Sequence, residues 1–389
     1  MFKIERKIIE FCEKHYMLLG FIIISVLALL IRVSLFKFES GDYVLFLKDW
    51  FNYLKANGGF WALKNYPGDY NAPYMTIMSL LTYIPINSLY SIKIVSVFFD
   101  FVLAVASAAL VKEIIPKNKK FYSFLTYCIV LFLPTVVLNS ALWGQCDCIY
   151  ASFVILSLLY LIKEKYIPSF ILLGIAFSFK LQFMFILPLY VVLYIVKKKH
   201  SILHFLIIPL TNIVMCIPAL IAGKSLKDLL FVYLNQTSEY SSPVLNFSNI
   251  YNYLPIDNNS FGMIIAIFIC ALMLIYIIYK KVKFNNMKII TLGLWFVLIM
   301  TFVLPSMHER YAFVGEILLV IYFILNKENL SLLLFTFICT IVNYSSFLFR
   351  LNHNLSIELA IINTILLGYF TRDVILKLTC DKEKVQSTN

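Results

Sequence analysis

Long apolar runs, separated by short polar segments, dominate the chain. About 20 apolar residues in a helix cross the hydrocarbon core of a membrane, and the runs fit twelve such helices. The predicted spans are, approximately, 16–35, 88–111, 121–139, 148–162, two short ones that share 167–196, 201–222, 261–279, 289–305, 311–325, 330–349 and 355–371. The shorter run 74–86 contains Pro85 and predicts an interfacial helix. The pattern therefore predicts an all-α polytopic membrane protein of about twelve transmembrane helices, with residues 1–389 as a single integral-membrane domain.

The composition agrees with this class. Hydrophobic residues make up 61% of the chain and charged residues 14%, against about 25% charged residues in soluble proteins. A soluble protein of this size has too little interior to bury so much apolar surface. Soluble enzymes, fibrous and disordered proteins and DNA-binding proteins are therefore excluded. The net charge of +12 does not require nucleic acid, because cytoplasmic loops of membrane proteins are enriched in Lys and Arg.

The basic residues fall on alternate connections between the predicted spans. Of the 33 Lys and Arg, 22 lie in segments that this topology places on one side, namely 1–15, 112–120, 163–165, 197–199, 280–288, 327 and 371–384. The positive-inside rule assigns that side, and both termini, to the cytoplasm. Two long segments, 39–73 and 223–260, are then outer loops. Because the outer segments are rich in Asp, Asn, Tyr and Trp, the pattern predicts chemistry on the extracytoplasmic face.

The first outer loop opens with Ser40-Gly41-Asp42-Tyr43, directly after the first predicted span. Apolar residues then recur at helical spacing from Tyr43 to Leu54. This spacing predicts a helix that lies in the interface with its aromatic side chains against the headgroups. Asp42 stands at the junction of the two helices. One interpretation is that its carboxylate only caps the second helix, and the other is a role in chemistry.

Two further outer segments place polar residues beside aromatic ones. Segment 66–74 is turn-rich, and its polar residues taken alone are ordinary turn residues. Segment 139–147 joins two predicted spans, where a Trp is usually a membrane anchor, but here an amide and a carboxylate accompany it. The candidate residues of these segments are Asp69, Asn71, Tyr74, Trp143, Gln145 and Asp147.

The segment His308-Glu309-Arg310 lies between two apolar spans, where ionisable groups are costly and usually functional or paired. An Arg beside a His offers a forked donor and a second positive or hydrogen-bonding centre, which suits a phosphate oxygen. A polar hairpin with an internal Glu309–Arg310 pair is the alternative. Lys180 and Arg350 are further outer cations, and either one alone is typical of a snorkelling side chain.

Several common catalytic motifs are missing from the sequence. It contains no phosphate-cradling Gly loop, no His-x-x-x-His and no recognisable Ser-His-Asp arrangement. The outer loops also lack an Asp-x-Asp pair, the usual divalent-metal signature of transferases that use nucleotide sugars. The eight cysteines lie mostly inside apolar runs and predict neither a disulfide framework nor a zinc site. We therefore expect chemistry without a bound metal or cofactor.

Taken together, four motifs resemble those of GT-C glycosyltransferases. They are the Gly-Asp-Tyr that opens the first outer loop, the Asp-Tyr-Asn-x-Pro-Tyr that closes it, the Trp-Gly-Gln-x-Asp turn and the late His-Glu-Arg-Tyr loop. Over about 16–350 the chain resembles bacterial relatives of the GPI second-mannose transferase. It is also similar to the glucosyltransferases of asparagine-linked glycan synthesis, although Arg310 stands where those enzymes have Lys.

The resemblance implies a membrane enzyme that moves a hexose from a polyprenyl-phosphate-linked donor to an acceptor hydroxyl. It implies that Asp42 is the catalytic carboxylate and that His308 and Arg310 hold the donor phosphate. One base and a set of cations suffice for such chemistry, since the phosphate is a good leaving group, and we expect single-step inversion.

The expected partners and alternatives complete this prediction. Lys180 and Arg350 are further candidates for the donor phosphate. Residues expected to contact the sugar or the acceptor are Asp69, Asn71, Tyr74, Trp143, Gln145, Asp147 and Glu309. The acceptor is expected to be a glycan or a lipid-linked molecule, with membrane lipids as the only other partner and no nucleic acid. A lipid-linked sugar flippase or transporter and a glycan polymerase are the alternatives.

Overall fold

The computed structural model describes residues 2–239, 242–254, 258–351 and 355–379. In these residues the chain forms helices and connecting turns, without a strand. The first helices are α1 (Lys3–Leu35), α2 (Lys48–Ala56), α3 (Ala72–Leu81), α4 (Ser88–Ile114), α5 (Lys119–Phe132), α6 (Pro134–Val137), α7 (Asp147–Ile162), α8 (Tyr166–Phe179) and α9 (Leu187–Lys197). The remaining helices are α10 (Ile207–Met215), α11 (Ile217–Ile221), α12 (Leu226–Glu239), α13 (Asn259–Tyr279), α14 (Asn286–Val303), α15 (Phe313–Asn326), α16 (Leu330–Phe349) and α17 (Ser356–Thr379).

Every predicted apolar span coincides with a helix or with a run of consecutive shorter helices. Within the described residues, six helices are long and apolar enough to cross a membrane: α1, α4, α13, α14, α16 and α17. The pair Lys119–Phe132 and Pro134–Trp143, bent by 50°, raises the number to seven if it counts as one span. The chain is thus an all-helical, multi-pass membrane protein.

Proline causes the bend in the predicted span 121–139. Pro134 opens α6, where its missing N–H costs nothing, and Leu133 before it takes an extended conformation with ψ of 121°. A π-helical turn, Leu138–Trp143, follows and ends at Gly144, whose φ is 81°. The chain therefore changes direction shortly before the polar residues 139–147.

The helices differ strongly in how much protein surrounds them. In the apolar window of α14, 83% of the residues are buried, against 11% in α1 and 22% in α13. The outer helices expose many large apolar side chains, such as Leu30 and Ile267. Exposed apolar surface on this scale requires contact with lipid.

Ion pairs between lysines and glutamates join the helices at one end of the bundle. Lys163 lies 3.3 Å from Glu113, which brings the ends of α7 and α4 together. Nearby along the chain, Lys199 lies 2.6 Å from Glu164. Lys327, after α15, lies over the ring of Tyr122 in α5 at 5.6 Å. We call this the basic end, and the candidate residues occupy connections at the opposite end of the same helices.

The first outer segment differs from the predicted interfacial helix. Tyr43 and Phe51, two aromatic residues of its predicted headgroup-facing stripe, are each only 2% exposed, because α2 packs on α3 and α4. Phe46, another residue of that stripe, is exposed together with its neighbours Val44 and Leu45. A π-helical turn over Tyr43–Leu47 shifts the phase of the helix. Tyr43 and Phe51 are therefore part of the protein core, while Phe46 of the same stripe stays at the surface.

The second predicted outer loop, 223–260, also contains regular structure. It holds α12 and a short 3-10 turn, Ile250–Asn252. Residues 240–241 and 255–257 of this segment lie outside the described residues, as do 352–354 and the end of the chain after 379.

Candidate functional site

Five connections converge at the end of the bundle opposite the basic end. They are the link after α1, the approach to α3, the turn between α6 and α7, the turn after α8 and the link between α14 and α15. The polar residues that they bring together are Asp42, Asp69, Tyr70, Asn139, Trp143, Gln145, Asp147, Lys180, His308, Glu309 and Arg310.

Asp42 is held through one oxygen of its carboxylate. The indole N–H of Trp143 donates to Oδ2 at 2.9 Å, and Nε2 of Gln145 donates to the same oxygen at 2.5 Å. No described residue donates a hydrogen bond to Oδ1, and the side chain is 14% exposed. The carboxylate is thus fixed in direction while one oxygen stays available.

Asp42 does not cap the following helix with its side chain. Ser40 does so instead, since its Oγ accepts the backbone N–H of Tyr43 at 3.2 Å and donates to the carbonyl of Trp143 at 2.7 Å. The structure therefore contradicts the capping interpretation of Asp42. Trp143 is fully buried, with its ring 4.9 Å from that of Phe347, so it is not a membrane anchor either.

Gln145 is oriented by a neighbour from the first outer loop. The hydroxyl of Tyr70 donates to Oε1 of Gln145 at 3.0 Å, which directs the NH2 group of the amide at Asp42. Tyr74 packs its ring 5.1 Å from Tyr70 and is 3% exposed. Tyr74 therefore supports the site through Tyr70, which is not among the residues predicted from this segment.

Asp147 gathers the cations of the site. Its Oδ1 accepts Nζ of Lys180 at 2.7 Å, and its Oδ2 accepts Nδ2 of Asn139 at 2.8 Å. Nε of Arg310 lies 3.9 Å from Oδ2. Lys180 is 7% exposed and so is no snorkelling side chain. Asp147, expected to contact the sugar, is thus engaged with two cations.

Arg310 lies between the carboxylates. Its Nη1 is 3.1 Å from Oε1 of Glu309 and 3.7 Å from Oδ2 of Asp42, and the guanidinium carbon lies 5.4 Å from the centre of the Trp143 ring. The Nε–H of Arg310 is buried and has no hydrogen-bond partner among the described residues. The predicted Glu309–Arg310 pair exists, but it belongs to this larger network.

Burial changes the charge states of the neighbouring titratable groups. Desolvation, with the nearby charges of Arg310 and Lys180, lowers the pKa of His308 to about 3. The imidazole is therefore neutral near pH 7 and serves as a hydrogen-bonding group, not as the second positive centre. Burial raises the pKa of Glu309 and of Asp69, against the opposing attraction of Arg310.

Two other predicted site residues, Asn71 and Arg350, take no part in the network around Asp42. Asn71 caps α3 by accepting the N–H of Ala72 at 2.8 Å, and its Nδ2 donates to the carbonyl of Ser178 at 3.0 Å. Its amide therefore links α3 to α8. Arg350 is exposed at the end of α16, and it makes no hydrogen bond or ion pair with the part of the chain that the structure describes. The structure does not bring Arg350 to the site.

Lys93 fixes the start of the first outer segment, and the sequence pattern did not single it out. It is fully buried in α4, and its ammonium donates to the carbonyls of Leu35, Phe36 and Phe38 at 3.3, 3.1 and 2.6 Å. The last carbonyls of a helix lack partners within it, and a cation there is favourable. Lys93 thus holds the chain just before Ser40.

A buried ion pair between Arg32 and Asp100 also joins α1 to α4. Nε of Arg32 donates to Oδ2 of Asp100 at 2.7 Å, and Ser140 donates to the same oxygen at 2.5 Å. The other guanidinium nitrogens reach the carbonyls of Ala28 and Leu131. This cluster joins α1, α4, α5 and the π-helical turn that leads to Trp143.

Comparison with models of known protein families and with curated protein sequences finds no match to this chain. The resemblance to GT-C glycosyltransferases therefore rests on its four motifs. Three of them meet directly at Asp42: Trp143 and Gln145 from the turn, Arg310 from the late loop and Asp42 itself. Among the described residues, no three His, Cys, Asp or Glu side chains are arranged to hold a metal ion.

Proposed function

We propose that the protein is an integral-membrane glycosyltransferase. It moves a hexose from a polyprenyl-phosphate-linked donor to an acceptor hydroxyl by single-step inversion, with Asp42 as the base. The observation that carries the proposal is the environment of Asp42, whose Oδ2 is fixed by Trp143 and Gln145 while Oδ1 has no donor among the described residues. A base needs such a held carboxylate with one oxygen open to the acceptor proton.

The cations beside Asp42 suit the leaving phosphate. The Nε–H of Arg310 makes no hydrogen bond with the described residues, although it lies 3.9 Å from Oδ2 of Asp147, and it can donate a charge-assisted hydrogen bond to a phosphate oxygen. Lys180, held by Asp147, adds a second positive charge, and neutral His308 adds a hydrogen-bonding nitrogen. Donors placed where charge develops are a major source of catalysis.

The membrane arrangement belongs to the same proposal. Twelve helical segments span the bilayer, both termini are cytoplasmic, and the site opens on the extracytoplasmic face. The basic end, with its Lys–Glu pairs, supports this orientation through the positive-inside rule. A donor whose lipid stays in the membrane could then reach the site from the outer leaflet.

Sugar transfer by purified protein in detergent tests the proposal. The protein is incubated with radiolabelled polyprenyl-phosphate hexoses and lipid-linked acceptors, and labelled product is measured by chromatography. We expect transfer from at least one donor without any sealed compartment. A flippase gives no product under these conditions, so absence of transfer with every donor, by protein that stays folded, would contradict the enzyme assignment. A glycan polymerase would instead give a ladder of products.

A further inference from the structure

A cavity that lysines help to line lies at the basic end of the bundle, away from the site around Asp42. It has a volume of 440 Å³ and is lined by α1, α4 and α5. Three lysines surround it, one from each helix: Lys14, Lys112 and Lys120. His15 and Ser123 add polar groups to its wall. No Asp or Glu lines the cavity, and the function proposed above makes no use of it.

The positive charge of the cavity is not neutralised by the nearest acidic residue of α4. Glu113 follows Lys112 but lies 3.3 Å from Lys163, outside the cavity. Lys14 and Lys120 have no ion pair within the described residues. In addition, α5 begins beside the cavity without a side-chain cap, and uncapped N–H groups at a helix start favour an anion. The chemistry of this cavity is therefore that of an anion site.

Part of the lining of the cavity is apolar. Leu18 and Phe21 line it, and Phe21 packs edge-on against Phe124 at 4.8 Å between ring centres. The helix α1 has a kink at His15, where φ is −117°, so the chain bends at the cavity mouth. A pocket lined by both lysines and apolar side chains fits an amphipathic anion better than a free inorganic one.

The cavity also lies at the depth of a membrane surface. The apolar run of α1 begins at about residue 16, that of α4 ends at about 111, and that of α5 begins at about 121. All the lining lysines stand at these boundaries, where lipid headgroups lie. Lysines at this depth are attracted to anionic lipid.

We propose that this cavity binds the headgroup of an anionic phospholipid. The three lysines contact the phosphate region, and the first carbons of the acyl chains rest on Leu18 and Phe21. Binding there holds α1 against α4 and α5 at the basic end.

Native mass spectrometry of the purified full-length protein tests this proposal. Phosphatidylglycerol is the anionic probe, phosphatidylcholine the neutral lipid and inorganic phosphate the soluble competitor. The variant Lys14→Gln/Lys112→Gln/Lys120→Gln removes the three charges. The matched control Lys280→Gln/Lys281→Gln/Lys283→Gln removes three exposed charges from the same end of the bundle, outside the cavity.

We expect the cavity variant to bind phosphatidylglycerol about 100-fold more weakly, as three lysines near a membrane surface imply, and the control variant to bind it like the unmodified protein. Equal loss in both variants would mean that general surface charge attracts the lipid. Equal binding of phosphatidylcholine, or displacement of the lipid by inorganic phosphate, would also overturn the proposal.

A measurement on the unmodified protein covers the case in which the cavity variant does not fold. Lysine acetylation is compared in nanodiscs that contain phosphatidylglycerol and in nanodiscs of phosphatidylcholine alone. We expect protection of Lys14, Lys112 and Lys120 by the anionic lipid, with Lys280 and Lys283 unchanged. Unchanged acetylation of all five lysines would contradict the proposal.

Discussion

At the residue scale, the contacts of Asp42 make its substitution by Asn informative. Asn keeps an oxygen that can accept from Trp143 and Gln145, but it cannot take a proton from an acceptor hydroxyl. We expect Asp42→Asn to fold normally and to lose about 10²–10⁴-fold in turnover, the usual contribution of a general base. Turnover and donor binding are measured on purified protein, and binding is expected to change little.

Asp49 provides the matched control for this prediction, since it is exposed in α2, which begins six residues after Asp42. Asp49→Asn removes an equal charge about two helical turns away and should leave turnover unchanged. Near-normal transfer by well-folded Asp42→Asn would remove Asp42 as the base and move attention to Asp69. Asp147 is a weaker second choice, because Lys180 and Asn139 already occupy its oxygens.

Arg310 and His308 are expected to respond differently to substitution. Arg310→Ala removes the positive charge beside Asp42 and should weaken donor binding and turnover together, since it acts on phosphate before and during the reaction. Arg310→Lys should restore only part of this, because a point charge cannot fork between two oxygens. His308→Gln keeps a hydrogen-bonding group of similar reach, so its effect should be smaller than that of Arg310→Ala. A larger effect of His308→Gln would contradict the assignment.

The lowered pKa of His308 also predicts a pH effect on stability. On unfolding, the pKa of His308 rises from about 3 to its ordinary value of 6.5. Below pH 6.5 the unfolded chain therefore binds a proton that the folded protein excludes. The contribution of neutral His308 to the free energy of unfolding is therefore fully present above pH 6.5 and is lost as the pH falls toward 3. Thermal unfolding in detergent across this range should show a shallower decline for His308→Gln. An identical decline would show that His308 is already charged when folded.

At the element scale, the pair of Arg32 and Asp100 holds α1 and α4 against the helix pair that carries Trp143. Asp100→Leu leaves the guanidinium buried without its partner, which costs about 3–5 kcal/mol for buried pairs. We expect a marked fall in the melting temperature of purified protein. The double variant Arg32→Met/Asp100→Leu removes both charges and should recover most of the loss. If the double variant is no more stable than Asp100→Leu, the loss does not come from an unpaired charge.

The breaks between elements explain how the helices present the polar residues. Pro134 bends the predicted span 121–139, and Gly144 ends the π-helical turn with a φ that other residues rarely adopt. A second π-helical turn follows Asp42. Such turns inside helices occur often at functional sites. Here they place Trp143 and Asp42 in hydrogen-bond contact although 101 positions separate them in the chain.

At the scale of the whole molecule, we expect the basic end of the bundle to face the cytoplasm and the end that carries Asp42 to face outward. In a background without cysteine, Asn57→Cys lies beyond α2 at the site end, and Lys117→Cys lies between α4 and α5 at the basic end. Both positions are exposed. A membrane-impermeant maleimide applied from outside should label only Asn57→Cys in intact cells, and Lys117→Cys only after permeabilisation. The reverse pattern would invert the proposed topology and the side on which the site opens.

The amino-acid sequence by itself determined the class of the protein and the places of its apolar helices, but not α12, which lies in a segment predicted as a loop. Apolar periodicity is local, so each predicted span, including the two short ones that meet near Lys180, coincides with helix in the structure. The polar residues of the site were also visible, because charged and amide groups between apolar spans stand out against their surroundings.

Only the tertiary structure decided which of those residues act together. Asp147 proved to be the partner of Lys180, Asn71 a cap that joins helices, and Arg350 a residue apart from the site. The buried Lys93 gave no signal in the sequence, since its three carbonyl acceptors lie 55 to 58 positions away. Hydrogen bonds and ion pairs depend on distances between residues remote in the chain. Hydrophobic patterning sets the helices, but it does not specify how their ends meet.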